Sequence, residues 1–99
     1  MARFDIFRND DVEGYLLDVQ SDLLSDLNTR VVVPLLTRSA APSPAQRLNP
    51  VFEVEGAEVI MGTQFMAAVP EAELRIKVGN LGAQQLEISA ALDMLFLGF

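Results

Sequence analysis

A chain of 99 residues is enough for one domain around one modest core. Its 14 acidic and seven basic side chains leave a net charge of −7, and the bases are scattered from Arg3 to Lys77, which argues against direct nucleic-acid binding as the main activity. Cysteine and histidine are both absent, so disulfides, thiolate metal sites and Cys–His or Ser–His–Asp catalysis are excluded too.

The chain opens on Ala2–Arg8, where Phe4 and Ile6 alternate with Arg3, Asp5 and Phe7, the period of a half-buried strand. Met1–Arg8 has no apolar core of the kind a secretory signal carries. Asn9–Gly14 is a polar turn, and Tyr15–Gln20 is the hairpin partner of the first strand. Asn9, Asp11, Glu13 and Gly14 match the first positions of a calcium loop, but the twelfth position is Gln20 and strands flank the segment, so the match is rejected. No metal and no cofactor is expected.

Ser21–Thr29 mixes Ser, Asp and Asn with leucines and reads as a loop. Its Ser21-Asp22 and Ser25-Asp26 pairs are turn and capping residues. Valine-rich Arg30–Leu36 is a buried strand in which Pro34 marks a bulge or an edge position. Val31–Leu36 is the longest apolar run, six residues broken by Pro34, far from the roughly 20 that a membrane span needs. A soluble, cytoplasmic protein is expected.

Ser39–Pro50 holds Pro42, Pro44 and Pro50 and is an irregular connection. Val51–Glu55 and Ala57–Met61 form a hairpin turning at Glu55-Gly56. Gly62–Pro70 fits no single pattern. Glu73–Val78 alternates Leu74, Ile76 and Val78 with Glu73, Arg75 and Lys77, the pattern of a strand, with Lys77 a solvated charge.

After Gly79-Asn80 the period changes. Gly82 is the expected N-cap, Leu81 and Leu86 have the spacing of a hydrophobic staple, and Ala83–Leu97 is a helix stopped by Gly98. Ile88, Leu92, Leu95 and Phe99 form a core-facing stripe, while Gln85, Ser89 and Asp93 make a polar face. Yet five of the six residues from Met94 to Phe99 are apolar and the sixth is glycine. Two readings stay open: the whole end is buried in the core, or part of it meets another chain, since exposed apolar patches on soluble proteins mark interaction sites. The elements together predict a mainly β chain with a C-terminal α-helix packed on a curled sheet.

Five stretches then carry a resemblance: Asp18-Val19-Gln20-Ser21-Asp22-Leu23-Leu24, Arg30–Leu35, Pro50–Val54, Met66–Pro70 and Leu92–Phe99. Their order and spacing are similar to those of the CcdB family over nearly the whole chain. The resemblance implies a single domain over 1–99 with an SH3-like barrel, a five-stranded antiparallel sheet plus short extra strands and a long C-terminal helix.

It further implies a non-enzymatic homodimeric toxin of a type II toxin–antitoxin system. Such a toxin binds the A subunit of DNA gyrase and traps its cleavage complex with DNA, and an antitoxin neutralises it with a disordered C-terminal segment. The matching gyrase-binding positions are Leu23, Leu24, Asp93, Phe96, Leu97, Gly98 and Phe99. The family's best-known member has tryptophan in place of Leu97, stacked on a gyrase arginine, and asparagine in place of Asp93. Two alternatives stay open, an endoribonuclease toxin on a related barrel, whose RNA cleavage would be abolished by replacing Arg30 or Arg75, and a non-toxic binding-only relative.

Overall fold

The computed structural model describes residues 2–8, 13–41 and 43–99. The first four positions of the rejected calcium loop, which are most of the Asn9–Gly14 turn, lie outside these residues, as do Met1 and Pro42. The described elements are β1 (Asp5–Arg8), β2 (Gly14–Asp18), β3 (Thr29–Leu36), β4 (Val51–Val54), β5 (Ala57–Met61), β6 (Ala67–Pro70), β7 (Lys77–Asn80) and α1 (Gln85–Leu97). The seven strands make one sheet in the order β4-β5-β3-β2-β1-β7, with β6 paired to β3, and every pairing is antiparallel. The fold is a mainly antiparallel β half-barrel with one C-terminal helix. This is the expected class, with β6 lying off the main strand path.

The hairpin signals hold where the turn chemistry is strict. Glu55 and Gly56 have φ of +52° and +78°, the left-handed pair that a two-residue turn needs to match strand twist. The turn then folds back over the far end of the sheet. Tyr15 Oη donates to Glu55 Oε1 at 2.9 Å, and Arg8 Nη2 lies 3.4 Å from the same carboxylate, which closes the curl. Pro34 falls where the second-edge partner of β3 changes from β6 to β5. A missing N–H is tolerated at that break, and Pro34 O accepts from Gly62 N–H at 2.8 Å.

Two expected strands are corrected. The first begins at Asp5, not Ala2, because Phe4 adopts φ +72° and its N–H turns to Asp18 O. Nor is that strand half-buried. Phe4 and Ile6 enter the main core, while Phe7 packs with Val32 and Leu74 in a second cluster, so both faces are covered. The late strand is Lys77–Asn80 instead of Glu73–Val78. Glu71–Glu73 is a 3-10 turn, and β7 takes its register from β1 with a bulge between Ile6 and Phe7. Gly62–Pro70 resolves into a 3-10 turn, Thr63–Phe65, followed by β6.

The entrance to the helix also differs from expectation. A 3-10 turn over Gly82–Gln84 precedes α1. Gly82 is not the cap: Leu81 precedes the 3-10 turn and Gln84 precedes α1, and the Gly82 N–H donates to Asn80 Oδ1 at 2.7 Å. Leu81 is buried but Leu86 is 85% exposed, so the staple does not form. Ile88 and Ala91 are buried against the sheet, Leu92 packs on them and Leu95 is half-buried. Phe99 leaves the stripe for solvent because Gly98 turns the chain first.

Candidate functional surface

The first half of the predicted surface is built by the polar residues of Asp18–Asp22. Gln20 makes the central tie. Its Nε2 donates to Leu24 O and Thr29 O at 3.2 Å each, and its Oε1 accepts from Val31 N–H at 3.0 Å. Ser21 Oγ accepts from Leu23 N–H and caps the 3-10 turn Asp22–Leu24. Asp22 Oδ1 accepts from Arg3 N–H at 2.8 Å. Ser21 is thus the capping residue it was expected to be. Held from behind, the loop turns its leucines outward: Leu23 is 94% exposed, and Leu24 and Leu27 are each about half exposed.

Beneath the loop lies an ion pair that the sequence reading missed. Arg30 Nε and Nη2 donate to Asp18 Oδ2 at 2.9 and 2.6 Å, and Asp18 Oδ1 accepts from Gln20 N–H. Both side chains are essentially inaccessible. Burial pushes the Asp18 carboxyl above its usual range, and the bonds from Arg30 and Gln20 offset this only in part. Arg30 thus has no face for RNA, which removes it as a candidate substrate contact.

Asp5 is buried as well, but in a richer setting. Burial alone would raise its carboxyl. The Asn80 side chain, Ala2 N–H and Lys77 reverse that and hold it below the usual value. Lys77 is therefore not merely solvated, since its Nζ lies 3.2 Å from Asp5 Oδ1.

The second half is the end of α1. Gly98 has φ +82°, and its N–H donates to Asp93 O and Met94 O at 3.2 Å each. That left-handed cap ends the helix and satisfies two of its last carbonyls. Phe96, Leu97 and Phe99 are 68, 60 and 73% exposed, and Asp93 is exposed beside them. The last turn of α1 holds no basic side chain. Asp93, Phe96, Leu97, Gly98 and Phe99 therefore sit together on one helix end, and Leu23 and Leu24 on one loop. Among the described residues, no hydrogen bond or ion pair joins the two groups. The loop is tied to Arg3, and Phe4 O accepts from Leu81 N–H at the start of the helix.

A sequence model of the CcdB protein family matches residues 3–98. The chain belongs to the CcdB family. It is a CcdB-family toxin of a toxin–antitoxin system. Among solved structures it is similar to an endoribonuclease in complex with its cognate antitoxin from mycobacterial species. That match has a TM-score of 0.78 and 17% identity over 100% of this chain and 96% of the other. An endoribonuclease, also from mycobacterial species, matches with a TM-score of 0.78 and 18% identity over 100% of this chain and 92% of that one. At such identities the likeness establishes a shared fold. No helix among the described residues is long and apolar enough to cross a membrane.

Proposed function

We propose that this CcdB-family chain is a non-catalytic cytoplasmic toxin that binds the A subunit of DNA gyrase as a homodimer and traps the enzyme's covalent complex with cleaved DNA, and that a cognate antitoxin neutralises it. The observation that carries the reading is the end of α1. Three large apolar side chains stand in solvent there, Phe96 and Leu97 on the last turn of the helix and Phe99 just beyond its Gly98 cap. They do nothing for the fold, and apolar anchors of this kind dominate protein–protein binding energy. Leu97 fills space where the family has an aromatic ring, without the ring's attraction for a cation, worth about 0.5–2 kcal/mol. Asp93 supplies a carboxylate to pair with an arginine in the same place.

The test is a supercoiling and DNA-cleavage assay with purified gyrase, comparing wild type with Gly98→Glu. Inhibition with accumulated cleaved DNA by wild type alone is expected. Absence of both effects at micromolar wild-type toxin would sink the proposal. Similarity of fold to endoribonucleases favours a second reading, RNA cleavage. RNA breakdown by purified chain that disappears in Arg75→Ala, a substitution on the exposed surface, would replace the gyrase reading.

A further inference from the structure

The helix is apolar on the side that faces away from the core as well as on the side that faces it. At 100° per residue, Leu86, Ala90, Asp93 and Leu97 lie within a narrow arc, opposite Ile88, Ala91 and Leu95. Exposure agrees with the geometry. Leu86 is 85% and Leu97 60% exposed, Asp93 is exposed and Ala90 partly so, while Ile88 and Ala91 are fully buried. Nothing in the fold uses Leu86, and it lies eleven residues before Leu97, about 16 Å along the axis. The outer stripe therefore runs three turns back from the surface assigned to gyrase.

Its charge selects what can cover it. No lysine or arginine follows Lys77 in the sequence, whereas Asp93 lies in the stripe and Glu87 beside it. The carbonyl end of the helix adds partial negative charge at Leu97. A second copy is a poor occupant. Two antiparallel helices meeting about the middle of the stripe would set Leu86 against Leu97 of the other copy and Ala90 against its Asp93. Two carboxylates would then be buried with no cation on either helix, a costly arrangement.

We infer that the outer face of α1, from Leu86 to Leu97, docks a basic amphipathic segment of the antitoxin. The segment lays aliphatic side chains between Leu86, Ala90 and Leu97, and its lysines or arginines reach Glu87 and Asp93. A segment that orders on binding can follow the full length of the stripe, which a pocket receiving only the helix tip cannot. The inference rests on the toxin reading for the existence of an antitoxin, but not on gyrase as the target.

The experiment titrates purified toxin with its purified cognate antitoxin by calorimetry, alongside the gyrase assay. Leu86→Glu and Ala90→Glu are expected to weaken antitoxin binding about tenfold or more while gyrase inhibition is kept. Wild-type affinity is expected to fall steeply with added salt, and Glu87→Lys to flatten that slope. Because Leu86 lies in solvent and the partly exposed Ala90 is on the helix side away from the core, circular dichroism should show both variants folded.

Unchanged antitoxin affinity in both variants, or wild-type affinity indifferent to salt, overturns the inference. So does sedimentation showing that Leu86→Glu splits a wild-type dimer, since a second copy would then cover the stripe. Loss of gyrase inhibition in Leu86→Glu also overturns it by assigning the stripe to gyrase. Should wild type fail to inhibit gyrase while the antitoxin results stand, the gyrase reading falls and the stripe keeps its occupant.

Discussion

Arg30 and Asp18 show what sequence patterning leaves out at the scale of a residue. Each sits on an alternating or apolar strand where a charge reads as solvated, and only the pairing of β2 with β3 brings them together in the interior. Removing one partner strands the other. Arg30→Met is expected to cost about 3–5 kcal/mol in urea unfolding. Adding Asp18→Asn should recover part of that loss, since the new amide oxygen still accepts from Gln20 N–H.

Asp5 makes the opposite contribution to pH dependence. Its folded value lies below the ordinary 3.8, so the stability its ionised form adds is present above 3.8 and is lost as pH falls through the folded value. The stability gap between wild type and Asp5→Asn should therefore narrow below about pH 4, and urea midpoints measured from pH 6 to pH 2 would show it. A constant gap would mean that the hydrogen bonds, not the charge, carry the effect. Asp18 slopes the other way, because its raised value makes the folded state the stronger proton binder just above 3.8.

At the scale of the element, what was legible followed local chemistry and what was not followed pairing. The Glu55-Gly56 hairpin, the valine strand and the terminal helix are written in turn residues and periodicity. The displacement of β7 and the positive φ of Phe4 are not, because each depends on a partner strand distant in sequence. The Ser21–Thr29 segment was legible only as a loop. Its conformation is held by Gln20, whose three bonds reach Leu24, Thr29 and Val31.

Glycines separate the two kinds of information. Gly14 and Gly56 both have positive φ, +121° and +78°. A side chain at Gly56 would meet open space, whereas one at Gly14 would run into Leu35 O on the paired strand. Gly56→Ala should cost about 1–2 kcal/mol, the ordinary penalty of a left-handed backbone. Gly14→Ala should cost more than Gly56→Ala, because β2 must also move away from β3. Thermal melts of the pair would check the order, and equal losses would show that the β2–β3 approach relaxes freely.

For the molecule as a whole, the apolar residues divide into a set that folds the chain and a set that does not. Leu17, Val33, Leu35, Met61 and Ile88 have essentially no exposed surface, while Leu23, Phe96, Leu97 and Phe99 are mostly exposed. Hydropathy gives both sets the same letters, so the sequence shows that the helix end is anomalous without showing which side chains are outside. The half-barrel decides it, since its core is complete without them. Stability and binding should then separate cleanly. Leu17→Ala is expected to lose about 2–5 kcal/mol of stability. Leu23→Ser and Phe96→Ser should each stay within about 0.5 kcal/mol of wild type. Gyrase inhibition per folded molecule should follow the reverse order, kept in Leu17→Ala at low temperature and lost in the two surface variants. Urea titrations and the supercoiling assay on the same preparations would measure both. A large destabilisation by Leu23→Ser would show that the loop leucines belong to the fold after all, and the case for that half of the docking surface would fall with it.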